Sequence, residues 1–279
     1  MDLTKVWAEI VETANRSVQR EEDDYVENGL LYCGKCHTPK QAKIELFNET
    51  FMPLCLCACA TEKRDREIAE QKKKERLERI EENRRRAFPD LSYIKHTFEE
   101  DDKGNSRLSD IAERYVKNFE SLKDKGKGLL LFGGVGTGKT FIASCIVNSL
   151  IDKGYRCLVT NMPRIINTVG GTYDGRQEYI DSLNRYDLLV IDDLSAERDT
   201  EFSGEIVNQV IDSRYRSGLP LIVTTNLTSS EIKNPADVRK QRLYSRLMEM
   251  CVPVEVKGKD RRKEKLNAEY GEMKELLGL

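Results

Sequence analysis

Gly128-Leu129-Leu130-Leu131-Phe132-Gly133-Gly134-Val135-Gly136-Thr137-Gly138-Lys139-Thr140 is an apolar run that breaks into glycines and ends on Lys-Thr. The second half is G-x-x-x-x-G-K-[ST], a P-loop, and the first half reads as a short buried strand. The following Phe141 to Leu150 reads as a helix packed on a sheet. A glycine-rich turn alone needs neither neighbour; a phosphate cradle needs both. Glycines let backbone N–H groups turn toward an anion, and the helix N-terminus adds unpaired donors and a positive dipole end. Lys139 can reach the β- and γ-phosphates and the Thr140 hydroxyl can bind Mg2+. The candidate nucleotide-binding set is therefore Gly133, Gly134, Val135, Gly136, Thr137, Gly138, Lys139, Thr140 and Phe141.

Outward from this loop, apolar strands alternate with helices. Strands are expected at 128–132, 157–160, 188–191, 221–224 and 252–256. Helices are expected at 110–122, 139–152, near 163–169, and at 176–185, 201–217 and 236–250. That alternation predicts a five-stranded parallel α/β sheet covered on both faces. Leu188-Leu189-Val190-Ile191-Asp192-Asp193 ends an apolar strand on two carboxylates, at the sheet edge where α/β proteins bind ligands. Asp192 is the candidate that holds Mg2+ through water, Asp193 the candidate that orients or deprotonates the attacking water, and Glu197 a second candidate base. Leu221-Ile222-Val223-Thr224-Thr225-Asn226 brings Asn226 to the same edge, as a γ-phosphate sensor or as a turn initiator.

These motifs in order, followed by Arg242-Leu243-Tyr244-Ser245-Arg246-Leu247-Met248, resemble an AAA+ ATPase. Within that group the chain resembles the bacterial and phage DnaC/DnaI-type replicative helicase loaders, with the IstB transposition ATPases as close relatives. Tyr93 to Phe98, Asp192 to Arg198 and Ile211 to Tyr215 add to the likeness, which spans roughly residues 88–257. The resemblance implies that Arg246 is an arginine finger acting on ATP held by a neighbouring subunit, with Arg242 one turn before it on the same face. It implies ATP and Mg2+ as cofactors, slow partner-stimulated hydrolysis, and an ATP-bridged oligomer. Its implied partners are a hexameric helicase, bound through the N-terminal module, and single-stranded DNA. The 161–175 stretch, with Lys127, Arg164, Arg176 and Arg214 near it, is the candidate DNA contact. Two departures from the family pattern stand out. Asp193 replaces the usual Glu, and only Lys257 to Leu279 follow the last strand, too few for a full helical lid. A transposition helper and a non-hydrolysing ATP switch are the alternative readings.

Five of the 8 cysteines fall between Cys33 and Cys59. Cys33-x-x-Cys36 has zinc-knuckle spacing, and two of Cys55, Cys57 and Cys59 can complete a tetrahedral Zn2+ site, with His37 as a competitor. Redox use and free reactive thiols are the alternatives. Cys145, Cys157 and Cys251 sit in apolar runs and read as core. Thr61 to Ala87 is almost wholly Glu, Lys, Arg and Gln, which suits a solvated helical spacer or, through Arg84-Arg85-Arg86, a nucleic-acid arm. Residues 1–30 carry a helical apolar spacing at Val6, Ile10, Val11 and Ala14. The expected division is a module at 1–60, a linker at 61–87, an ATPase domain at 88–257 and a helical tail at 258–279.

A net charge of −2 excludes a globally basic nucleic-acid binder but leaves local patches open. No apolar run reaches the ~20 residues of a membrane span, and the first residues lack a signal-peptide pattern. A cytoplasmic location is expected, where clustered cysteines favour metal over disulfides.

Overall fold

The computed structural model describes residues 9, 20–46, 49–171, 175–194, 200–235 and 237–278. Val6, Ile10, Val11, Ala14 and Glu197 lie outside the described residues. The chain forms two units, Met1–Glu78 and Arg79–Leu279, so the division falls inside the charged helix.

In the first unit β1 (Tyr25–Glu27) pairs antiparallel with β2 (Leu30–Tyr32), and β3 (Ile44–Leu46) with β4 (Glu49–Phe51). Asn28 and Gly29 turn the first hairpin at φ 50 and 80, the two positive values that make Asn-Gly the favoured two-residue turn. These short strands were not legible beforehand, because three-residue strands carry almost no periodicity. Lys40 is buried and its Nζ lies 2.6 Å from Asp24 Oδ2, which also accepts the Glu21 N–H at 2.9 Å. Helix α1 (Ala58–Ala87) starts three residues before the charged run, inside the cysteine stretch, where the Thr61 N–H donates to Cys57 O at 2.9 Å. Its exposed i,i+4 pairs include Lys63–Glu67 and Lys74–Glu78. Arg84 and Arg86 are ion-paired with Asp152 and Glu82.

The second unit opens with the end of α1, a 3-10 turn at Leu91–Lys95, α2 (Ser106–Lys117) and α3 (Phe119–Asp124). The single helix expected at 110–122 is broken in two. Asn118 is the cause: its Nδ2 donates to Arg114 O at 2.9 Å and its φ,ψ of −103, 16 leave the helical basin. Then follow β5 (Gly128–Phe132), α4 (Lys139–Asp152), β6 (Cys157–Asn161), α5 (Met162–Gly170), α6 (Arg176–Ser182), β7 (Leu188–Leu194), α7 (Glu201–Ser217), β8 (Leu221–Thr225), α8 (Ser229–Lys233), α9 (Val238–Met250), β9 (Cys251–Glu255) and α10 (Arg261–Leu277).

The five strands from β5 to β9 form one parallel sheet in the order β6-β7-β8-β5-β9. Alternate residues serve opposite faces. Leu130, Leu189, Ile191 and Val223 join one buried cluster with Met162 and Ile165 of α5, Ile206 and Val210 of α7, and Leu247 of α9. Leu129, Leu131, Val190 and Ile222 join the other, with Ala112 and Val116 of α2 and Ile146 and Leu150 of α4. Each such Leu or Ile contributes roughly 1.5–3 kcal/mol by leaving water. Pro253 sits on the edge strand: the Val256 N–H donates to Phe132 O, so the alternate residues face β5 and the proline, lacking an N–H, faces outward.

One candidate DNA contact must be withdrawn. Arg214 is 1% exposed, and its guanidinium donates to the carbonyls of Leu183, Tyr186, Asp187 and Pro220 at 2.8–3.4 Å. A five-donor fork was needed to satisfy carbonyls converging from two loops, a demand invisible in one dimension.

Candidate nucleotide site and cysteine cluster

The P-loop runs from the C-terminal end of β5 to the first turn of α4. Gly133 and Gly136 are required by their surroundings. A Cβ would lie 2.5 Å from Val256 O at Gly133 and 1.9 Å from Asp260 Oδ1 at Gly136, and both residues have positive φ. With Tyr93, His96, Asp192, Asp193, Thr224, Asn226, Arg261 and Arg262, residues 135–141 line a cavity of about 300 Å³. Two grooves elsewhere are larger, about 850 and 870 Å³, but neither contains a glycine-rich loop at a helix N-terminus. The chemistry selects the smaller one.

Lys139 Nζ donates to Gly133 O at 2.9 Å, Gly134 O at 2.6 Å and Asn226 Oδ1 at 2.8 Å. Burial pulls the Lys139 ammonium below the ordinary lysine value, with Asp193 and Asp192 opposing. Asn226 Nδ2 in turn donates to Asp193 Oδ1 at 2.8 Å, so Lys139, Asn226 and Asp193 form one chain across the cavity. Thr140 Oγ1 lies 2.9 Å from Asp192 Oδ1. The hydroxyl donates to the carboxylate, and the two are hard oxygen donors of the kind Mg2+ takes, Thr140 directly and Asp192 through water. Val135 projects from the loop at 56% exposure, and the Phe141 ring packs 5.0 Å from the His96 ring.

Arg246 and Arg242 do not line this cavity. Arg246, on α9, is ion-paired with Asp212 of α7, and Arg242 is exposed with no side-chain partner among the described residues. The candidates Lys127 and Arg176 are engaged, the first with Glu249 O and the second with Glu205 and the Phe202 ring. Arg164 makes no side-chain hydrogen bond or ion pair among the described residues, and residues 172–174 of the same stretch lie outside them.

Five residues that line the cavity were given no site role from the sequence: Tyr93, His96 and Thr224, which lie in stretches already singled out, and Arg261 and Arg262, which do not. The arginines arrive because the Arg261 N–H donates to Gly136 O at 3.1 Å as α10 begins beside the P-loop. Asp260, whose Oδ1 accepts the Arg262 and Lys263 N–H groups at 3.1 and 3.3 Å, was the available signal for that helix start. Arg261 is paired with Asp102 at 3.0 Å, whereas Arg262 has no side-chain partner among the described residues and faces the cavity.

In the first unit the sulfurs of Cys33, Cys36, Cys57 and Cys59 lie within 4.8 Å of one another. Cys33–Cys59 is 3.7 Å and Cys57–Cys59 3.4 Å. Tetrahedral zinc with 2.3 Å bonds to sulfur separates its ligands by ~3.8 Å, so the donor set fits that ion. Cys55 stands apart, its Sγ 3.8 Å from Pro39 O, because helix α1 begins between Cys57 and Cys59 and ends the extended repeat. His37 is exposed and its Nδ1 meets Tyr25 OH at 3.2 Å. As thiols the four are unequal: the Thr38 hydroxyl draws Cys36 down to about 5, while the Cys57 thiol pushes Cys59 up to about 12.

The sheet order, the P-loop and the paired acids at the end of β7 define an AAA+-type P-loop fold. The chain matches the IstB-like ATP binding protein family over residues 59–268 and belongs to it. It is 26% identical over 160 residues to the replicative helicase loader DnaI of Bacillus subtilis strain 168, covering 53% of this chain and 51% of that one. It is 26% identical over 140 residues to the replicative helicase loader DnaC of Escherichia coli K12, covering 49% of this chain and 55% of that one. The chain thus spans about half the length of these curated relatives. A crystal structure of DnaI superposes with a TM-score of 0.53 at 23% identity, over 63% of this chain and 95% of that one. A crystal structure of the DnaC helicase loader gives 0.53 at 24%, over 60% and 100%. No helix among the described residues is long and apolar enough to cross a membrane.

Proposed function

We propose that this chain is an ATPase that loads a ring-shaped replicative DNA helicase onto single-stranded DNA. The observation that carries the reading is the divided nucleotide site. Lys139, Thr140, Asp192, Asp193 and Asn226 converge on one cavity, while Arg242 and Arg246 stand outside it on α9. A second copy presenting Arg246 would complete the site, so ATP would bridge subunits of an oligomer. The names of the two relatives support the helicase as partner.

In this reading Lys139 leaves the Gly133 and Gly134 carbonyls for the β- and γ-phosphates, which are far stronger acceptors. Thr140 and Asp192 hold Mg2+, which would neutralise charge on the phosphate oxygens. Asp193 orients the attacking water and Asn226 contacts the γ-phosphate. Arg262 approaches the phosphates from the same chain. The four thiols of the first unit hold zinc, whose binding supplies folding free energy to a module with little core, and that module docks the helicase. The domain division at 1–60, 61–87, 88–257 and 258–279 describes these tasks.

The test is co-purification with candidate hexameric helicases in ATP, with phosphate release measured with and without helicase and single-stranded DNA. A stable ATP-dependent complex that loads helicase on DNA is expected; no complex and no effect on loading would sink the proposal. Family membership also favours a transposition-helper reading, in which the same site couples ATP to a transposase. Capture of a transposase in place of a helicase would select it.

A further inference from the structure

Asp192 and Asp193 are adjacent, and a regular strand would aim them at opposite faces of the sheet. Both nevertheless line the nucleotide cavity. A bulge in β7 makes this possible: Ile191 pairs with Val223 and Leu194 with Thr225, so Asp192 and Asp193 together oppose Thr224. Asp193 takes φ 54, a left-handed conformation that costs energy in any residue bearing a Cβ. Such a bulge also removes ladder partners from the backbone. Thr224 supplies the replacement. Its Oγ1 accepts the Asp193 N–H at 2.8 Å and donates to Asp192 Oδ1 at 2.6 Å, in a side chain 1% exposed. One residue on, Thr225 Oγ1 donates to Leu194 O at 2.8 Å, closing the far side of the bulge. A valine would fill the same space and make neither bond.

We propose that Thr224 is the positioning residue that separates the tasks of the two carboxylates. By donating, its hydroxyl orients the acid on the Mg2+ side; by accepting, it holds the bulge that turns the other acid toward the γ-phosphate. The consequence for ATP rests on the nucleotide reading above; the holding of the bulge does not.

Thr224→Val and Thr224→Ser in the full chain test it. Three quantities are read: hydrogen exchange of the Asp193 amide without nucleotide, ATP affinity with Mg2+ and in EDTA, and phosphate release. Valine is expected to speed Asp193 exchange by about tenfold, since the amide loses its acceptor. It should also reduce the gain in ATP affinity from Mg2+ by about tenfold and turnover by about a hundredfold, while affinity in EDTA stays within about twofold. Serine keeps the hydroxyl and should stay within about threefold of the natural chain on every reading. Unchanged exchange and unchanged Mg2+ gain in the valine variant would overturn the assignment. So would a serine variant as impaired as valine, since the methyl group and not the hydroxyl would then carry the effect. Exchange is measured without ATP, so a natural chain that bound no ATP would refute the nucleotide reading and still leave Thr224 decided by the exchange ratio.

Discussion

Arg214 illustrates how burial overrides charge. Its fork serves four carbonyls at the ends of β7 and β8, and burial draws its pKa down to about 10. Lysine keeps the charge but loses the planar donors, so Arg214→Lys should destabilise the second unit by about 3 kcal/mol, read by urea unfolding. His96 makes a pH-dependent contribution of known sign. Its ring stacks on Tyr93 at 5.2 Å, its Nδ1 is buried without a hydrogen-bond partner among the described residues, and burial lowers its pKa, with Asp90 opposing. Below the unfolded value of about 6.5, the unfolded chain takes up a proton that the folded chain refuses. Stability from His96 is therefore full above about pH 6.5 and is lost as pH falls toward the folded-state value. The melting temperature of the second unit should drop between about pH 7.5 and 5.5, and His96→Phe should flatten that drop.

At the scale of elements, the start of α1 decides which cysteines meet. Extended backbone places residues 55, 57 and 59 on one side, and only the helical turn at Ala58 swings Cys59 in while leaving Cys55 outside. Cys55→Ser should retain one zinc per chain and Cys57→Ser should lose it, as measured by metal analysis. A strong chelator should unfold the first unit and leave the second, which has its own apolar core, with an unchanged melting transition. The P-loop, its flanking strand and helix, and the acids ending β7 were legible because each is a contiguous run with its own period. The cysteine partners were legible only as a choice among three, because spacing limits reach without setting direction.

For the whole molecule, the position of Arg246 outside the cavity implies an experiment on mixtures. Arg246→Ala should bind ATP as the natural chain does but hydrolyse it about a hundredfold more slowly in the assembled state. Lys139→Ala should bind no ATP, yet it still presents Arg246. Mixing the two inactive variants should restore part of the phosphate release, because some interfaces then join an intact cavity to an intact arginine. A mixture as inactive as its components would show that Arg246 does not act between copies. If Arg246 acts between copies, its ion pair with Asp212 would have to open first, since a guanidinium paired within its own chain is not free for a neighbour's phosphate.

The sequence by itself determined the parallel sheet, the glycine-rich loop between β5 and α4, the two acids and the thiol-rich module, because local periodicity and short-range spacing specify strands, turns and ligand sets. Tertiary structure alone decided that a bulge in β7 turns Asp192 and Asp193 into one cavity, that Arg262 returns to the P-loop and that Arg214 is an internal brace. Each of these depends on register between strands or on where a distant helix lands, and those follow from packing across the sheet, which no single segment encodes.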